Sequence, residues 1–378
     1  MDDTIESEII QFSRFPLACL VVLIHTNIDI DGWQYCAQMW VHPTWADIFR
    51  IVNMAMCKII PAFVVPMFFA FSGYLFFKNL EIWNTSCWLQ KIKRRIKTLV
   101  IPYFVWVSLY VAITILRMYL DNESVSQWYD TQGGLLKLYW DNVLLVPMWY
   151  VRDLIIVTIC TPILYFLLKR RDNINKYISC IPLLLFFLFA ELSYYGFSMY
   201  KSEAFLYFSL GAWLSINKID FINKCKEFAV PAFALFVVLF ALEIIYGGTT
   251  TLTGNLITPL YVLITFVVFV GFSAKKIESR NKMISGVVSQ SCKLAGHSFF
   301  LYAFHVFILK DVLLLCNEHF IGVSTTSIPI DIVNKHFFLC LISIVIATIV
   351  TIGVAILLVM ILKKYFPRFS CKLLGLRI

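Results

Sequence analysis

The chain is 378 residues long, 60% hydrophobic and only 15% charged, with a formal net charge of +9. Soluble domains run near half apolar and a quarter charged, so these proportions describe an integral membrane protein with little mass in water. No basic stripe interleaved with exposed aromatics accompanies the positive balance, which argues against a nucleic-acid partner and for Lys and Arg gathered in cytoplasmic loops.

Apolar stretches of about 17–25 residues are long enough to cross a bilayer as helices. Such stretches predict about ten of them, at 9–29, 58–77, 96–118, 147–168, 177–195, 202–216, 228–246, 255–273, 298–316 and 337–362. Short linkers join them, so residues 1–378 read as a single all-α transmembrane domain. The first run leads into His25 and Thr26-Asn27 without a small-residue cleavage pattern and is expected to stay as a span. With the N-terminus in the cytoplasm, the basic runs at 78–97, 169–176, 218–226, 275–293 and 363–377 share that side. Arg50, Lys58, Arg117, Lys137, Lys201, Lys310 and Lys335 fall opposite. That asymmetry and the even count place both termini in the cytoplasm and the protein in the cell (inner) membrane as a multi-pass chain.

The outer segments 30–57 and 119–146 carry Trp33, Trp40, Trp45, Trp128 and Trp140. Such a composition fits an aromatic belt at the membrane interface, and also a surface on which sugar rings stack. Eleven cysteines are scattered singly with no CxxC pair, so neither a metal site nor a redox motif is expected. Cys36 and Cys316 share the outer side, where two separate thiols are the simpler expectation.

The sharpest chemical pattern is Arg14-x10-His25. Eleven helical positions at 100° return to within about 20° of the starting azimuth, about 16 Å further along the axis. An ionisable side chain within a span costs roughly 2.5 kcal/mol or more, so chains rarely keep one without a use. A cation at the cytoplasmic end and an imidazole near mid-depth could grip an anionic cofactor and act on its reactive end. The bland readings are an interfacial anchor for Arg14 and a satisfied core histidine for His25.

Three further groups follow. Ser298, Tyr302 and His305, spaced four and three apart, place a hydroxyl, a phenol and an imidazole on one helix stripe; an interhelical hydrogen-bond seam is the alternative. Trp149, Arg152 and Asp153 open the fourth span, where the two charges either neutralise each other or meet a polar acceptor. Phe68 to Tyr74, with Ser72 and Gly73, is followed by a basic run from Lys91 through Arg94, Arg95 and Lys97 to Tyr103. Gly73 permits close backbone approach, and the basic run can hold phosphates or simply lie beside anionic lipid. Glu191, Glu203 and Glu243 are further acids in or near spans without an assigned role.

Taken in order, Arg14-x10-His25, FFAFSGYL at 68–75, KRRIKTLVIPY at 93–103, WYVRDL at 149–154 and LYAFH at 301–305 resemble the acyltransferase-3 family of membrane O-acyltransferases. The resemblance implies a ten-helix domain that takes an acyl group from cytoplasmic acyl-CoA, usually acetyl-CoA, and passes it to a hydroxyl of a surface glycan or glycolipid without a metal. It makes Arg14 and His25 the essential pair, matches His305 to the family's ninth-helix histidine, and puts Lys93 to Lys97 with Tyr103 on the donor side. On that basis His25 is the expected general base, Arg94, Arg95 and Lys97 the phosphate contacts, and Ser72-Gly73 the border of the pantetheine arm. Tyr302 is one candidate oxyanion donor, and an acyl-histidine on His25 or His305 stays open as a second route. Trp149, Arg152 and Asp153 are the expected acceptor contacts, loosely matched to the family. No esterase-like segment follows residue 362 in this sequence, so a second transfer step is expected to be absent or to belong to another protein. The competing classes are a transporter or flippase of a polyprenol-linked glycan, for which the sequence shows no internal repeat, and a polysaccharide polymerase, for which the outer loops are short.

Overall fold

The computed structural model describes residues 3–34, 37–80, 83–131, 133–134, 137–141, 146–169, 180–186, 202–246, 252–279 and 282–367. In chain order the helices are α1 (Asp3–Ile24), α2 (Trp45–Met54), α3 (Val64–Phe77), α4 (Thr85–Arg95), α5 (Ile101–Leu120), α6 (Val125–Thr131) and α7 (Trp149–Ile159). They continue as α8 (Thr161–Leu168), α9 (Ser202–Ile216), α10 (Phe221–Tyr246), α11 (Leu252–Glu278), α12 (Lys282–Leu294), α13 (Ser298–Ile321) and α14 (Ile330–Tyr365). Two three-residue strands, β1 (Asp29–Asp31) and β2 (Ser327–Pro329), pair in parallel, with Asp29 opposite Ser327 and Asp31 opposite Pro329.

Among the described residues, seven helical runs are long and apolar enough to cross a membrane: Ile5–Ile24, Trp45–Phe77, Thr85–Leu120, Phe221–Tyr246, Ile257–Glu278, Ser285–Ile321 and Ile330–Tyr365. α7 and α8 add an eighth if one broken span crosses the 64° bend between them. The all-α membrane architecture expected from composition is therefore present. Of the remaining expected helices, 202–216 forms α9, whose 15 residues fall short of a full span. The stretch 177–195 is described only at 180–186, which is helical; Glu191 and Cys36 lie outside the described residues.

Several boundaries differ from the hydropathy reading for local reasons. The first helix ends at Ile24 rather than 29, because the His25 and Thr26 amides turn back to the Val22 and Leu23 carbonyls at 3.1 and 3.2 Å. His25 therefore stands just past the helix end, not mid-way along it. The second span starts at Trp45, well before 58, because Thr44 and Asp47 form a capping box: the Thr44 side chain accepts from the Asp47 amide and the Asp47 carboxylate from the Thr44 amide. A box of this kind is worth about 1 kcal/mol. Its Asp47 also accepts from Trp33 Nε1 at 2.8 Å, and Arg50 lies 5.3 Å over the Trp33 ring, so this outer tryptophan is held by its neighbours.

The chain divides into two compact units, Met1–Val64 with Ile222–Ile361, and Val65–Phe221 with Leu362–Ile378. In the first, α1 packs along α12 and α13 and touches α11. An apolar cluster gathers Phe49 of α2, Leu313 of α13, and Phe337, Cys340 and Ile344 of α14 around Ile28, just before β1, and Ile328 of β2. α14 breaks its helical geometry at His336, with φ −123° and ψ 32°. In the second unit, α9 packs on α7 and α8, and α3 crosses α9 backbone to backbone. A Cβ added at Gly73 would run into the Phe208 carbonyl, and one at Gly211 into the Ala70 carbonyl. Lipid supplies no hydrophobic drive for two apolar helices to pair, so this reciprocal glycine contact, which lets dispersion act at short range, holds the crossing.

Candidate functional site

The first unit brings His25 and His305 together. Their rings stack with centroids 5.2 Å apart at 30°. His305 lies inside α13 with no exposed surface, whereas His25 is exposed. The His305 Nδ1 is 3.2 Å from the Leu301 carbonyl, one helical turn back. A carbonyl only accepts, so Nδ1 carries the hydrogen and Nε2 keeps its lone pair. That Nε2 is buried and has no hydrogen-bond partner among the described residues. Tyr302, buried on the same helix, flanks His305 with ring centroids 6.4 Å apart. Ser298, the third member of the expected stripe, donates to the Ala295 carbonyl at 3.0 Å and is engaged at the start of its own helix.

Arg14 sits on α1 three turns before His25 and is partly buried. The turn after α1 is held by side chains the motifs did not single out. Thr26, fully buried, donates to the Leu23 carbonyl at 2.8 Å, lies 3.9 Å from Cys57 Sγ, and accepts from Thr348 Oγ1 at 3.5 Å. Asn53 Nδ2 donates to Asn27 Oδ1 at 3.2 Å and to the Ile28 carbonyl at 2.7 Å. An asparagine in the apolar second half of α2 was the available signal for this contact; its partners were not readable from spacing.

The second unit holds the other expected residues. On α4, Lys93 and Arg94 are exposed, as is Lys97 in the turn that follows. Lys91 donates to the Phe76 carbonyl and lies 5.4 Å over the Phe76 ring, while Arg95 lies 6.0 Å over the same ring. Two of the five cations are therefore tied to the end of α3, and three face outward. Tyr103 is fully buried and donates its hydroxyl to the Tyr139 carbonyl at 2.6 Å, fixing α5 to the segment before α7. Ser72 Oγ lies 3.5 Å from the Tyr150 hydroxyl. At Gly73 the space a side chain would need is taken by α9.

Arg152 and Asp153 pair with each other, Nε to Oδ1 at 3.0 Å, each only 2% exposed. Arg152 Nη1 also donates to the Trp140 carbonyl at 2.6 Å. A charge sealed alone in the membrane would be far more costly than this pair, so mutual neutralisation is the chief consequence of their adjacency. Trp149, next to them, is partly exposed and tilts over Phe69 at 6.4 Å. Among the described residues no group of three or more His, Cys, Asp or Glu is placed to hold a metal ion.

A family model described as an acyltransferase domain matches residues 9–360. Neither a curated protein nor a solved structure matches the chain.

Proposed function

Because the chain belongs to the acyltransferase-3 family and is a multi-pass membrane acyltransferase, we propose that it moves an acetyl group from cytoplasmic acetyl-CoA to a hydroxyl of a surface polysaccharide or lipid-linked sugar, with His25 as the general base. The observation that carries the assignment is the stack of an exposed His25 on a sealed His305. It offers one imidazole to reactants and fixes that ring from behind.

A thioester is already activated, so the enzyme needs orientation, a base and charge stabilisation. His25 accepts the proton of the acceptor hydroxyl, and the oxygen attacks the thioester carbonyl carbon. The carbonyl becomes a transient oxyanion. On its collapse the carbon–sulfur bond breaks, and the CoA thiolate leaves with the proton returned by His25. An imidazole suits both transfers because its ordinary pKa, about 6.5, lies close to neutral pH. While His25 is protonated, its charge rests on the face of the His305 ring, and a cation within about 6 Å of an aromatic centroid is attracted to it. Tyr302 is the proposed oxyanion donor.

Arg94, Arg95 and Lys97 are assigned to the CoA phosphates, since guanidinium and ammonium groups bind phosphate by charge-assisted hydrogen bonds; Arg94 and Lys97 are exposed, and Arg95 is partly buried over the Phe76 ring. Ser72, Gly73 and Tyr103 belong to the donor side, and Arg14 to its anionic part. Trp149, Arg152 and Asp153 are assigned to the acceptor; the ion pair is neutral overall, and Trp149 has surface to offer a sugar ring. The cell membrane, with both termini in the cytoplasm, is the proposed location.

The test is transfer of label from [14C]acetyl-CoA to envelope glycan by the purified full chain. His25→Ala should reduce it at least a hundredfold, within the usual range for loss of a general base. Near-normal transfer by a folded His25→Ala protein would remove His25 from the reaction.

A further inference from the structure

His25 opens a short turn, residues 25–28, between the end of α1 and strand β1, with no ladder of its own to fix it. The His25 and Thr26 amides hold its first half on the Val22 and Leu23 carbonyls, side chains on other segments of the same unit hold the rest, and Asn53 of α2 supplies the two bonds nearest the strand. Asn53 is fully buried. The direction of those bonds is set by a chain of requirements. Asn27 Nδ2 lies 3.1 Å from the Asp29 carboxylate, which can only accept. The Asn27 amide must therefore turn its oxygen toward Asn53, and the Ile28 carbonyl beside it also needs a donor. Asn53 meets both with the two hydrogens of one amide nitrogen, and its own Oδ1 stays buried without a hydrogen-bond partner among the described residues. A buried amide oxygen left in this way is unfavourable, so what the amide returns here is the clamp on the turn.

Resting on the reading of His25 as the base, we propose that Asn53 is a positioning residue for that reaction: it holds the backbone of the His25 turn so that the imidazole keeps its place over His305. Asn53 does not touch His25; it acts through Asn27 and Ile28. Thr348, through Thr26, braces the turn from the α14 side.

The decisive variant is Asn53→Asp, which keeps the shape of the side chain and replaces both donor hydrogens with an acceptor facing two acceptors. Initial rates are measured with [14C]acetyl-CoA and an envelope glycan extract, using the full chain in detergent. The His25 ring is followed by 15N NMR of histidine-labelled protein, its signal being the one of six histidines missing in His25→Ala. A displaced reacting group loses rate on the order of tenfold to a hundredfold, so kcat should fall by that much. KM for acetyl-CoA should stay within about twofold, because donor binding is not touched. The His25 signal should shift, and the thermal midpoint should fall because a buried acceptor then faces two acceptors, so rates and spectra are taken well below the midpoint of the variant. A kcat within about twofold of the parent, with an unmoved His25 signal, overturns the proposal. If Asn53→Asp does not fold, Asn27→Ala removes half of the clamp from the partly exposed side and is judged by the same two readouts. The underlying reading fails separately: should His25→Ala retain transfer, His25 is not the base, and a shifted His25 signal in Asn53→Asp would still establish the clamp.

Discussion

The role given to His305 makes a prediction that separates its ring from its nitrogens. Its face lies 5.2 Å from His25, inside the range where a cation is drawn to an aromatic face. Such contacts are worth about 0.5–1 kcal/mol when exposed and about 2 kcal/mol when desolvated. With one ring sealed and the other exposed, about 1–2 kcal/mol is expected, or roughly five- to thirtyfold in kcat at 1.36 kcal/mol per decade. His305→Ala removes the whole ring and leaves a void behind His25, so the imidazole also loses its orientation. The combined loss should reach about a hundredfold. His305→Phe restores a face of similar size and gives up the Nδ1 bond to Leu301. It should keep kcat within about tenfold of the parent, well above the Ala variant. The assay is initial-rate transfer from [14C]acetyl-CoA by purified full-length protein, with thermal midpoints recorded on the same samples. Folded Phe and Ala variants that both lose more than about a thousandfold would refute the stacking role. They would assign proton transfer or an acyl intermediate to the His305 nitrogens. An Ala variant as active as the parent would refute any role for the pair.

Three further outcomes follow from the same reading. Acetyl-CoA at about a hundredfold over its Kd should stabilise the detergent-solubilised protein by about 2.7 kcal/mol, seen as a higher thermal midpoint. Arg94→Ala, which removes a charged hydrogen-bonding group worth about 1.5–3 kcal/mol, should raise the Kd roughly ten- to a hundredfold; no stabilisation of the parent at any concentration would point to a glycan transporter instead. Gly211→Ala pushes a methyl into the Ala70 carbonyl and should cost about 1–3 kcal/mol, lowering the thermal midpoint, whereas Gly286→Ala, with nothing within 4 Å, should be near neutral; equal midpoints would mean that α3 and α9 do not cross as described.

Much of the fold was legible because lipid forces long apolar helices on a chain, and the composition alone announced them. What hydropathy could not supply was where helices stop. A span-length window carried the first helix to 29, but the chain turns polar after Ile24, and a hydroxyl at Thr26 closes the last turn and frees His25 from the helix. The segment 30–57 read as an outer loop because its aromatics and acids broke the apolar pattern. The Thr44-x-x-Asp47 box was nevertheless in plain sight, with the helix of residues 45–54 behind it. Sequence named His25 and His305 separately on the strength of the cost of ionisable groups in spans. Their contact depends on α1 and α13 packing side by side, which no local periodicity encodes. Asn53 was missed for the same reason, since its partners lie on another segment.

The structure also divides the named residues by what their polar atoms are already doing, and that division bears on function more directly than the motifs do. Tyr103 has its hydroxyl on the Tyr139 carbonyl, Ser298 on the Ala295 carbonyl, and Arg152 and Asp153 have each other. Gly73 has given its space to the backbone of α9. These residues explain why their motifs would be needed to build the protein, whatever it acts on. His25 and the Nε2 of His305 differ: one is exposed beside a sealed partner, and the other is a buried acceptor that no described side chain satisfies. Interiors satisfy nearly all their polar atoms; Asn53 leaves its Oδ1 open in exchange for the clamp on the turn, whereas His305 Nε2 has no such return within the described fold and calls for a reason outside it. A reacting group that must change partners during turnover is such a reason, since a permanent hydrogen bond would have to be broken at each cycle. This is the physical support for placing the proposed chemistry at the histidine pair, with the residues engaged in the rest of the fold assigned to holding it in place.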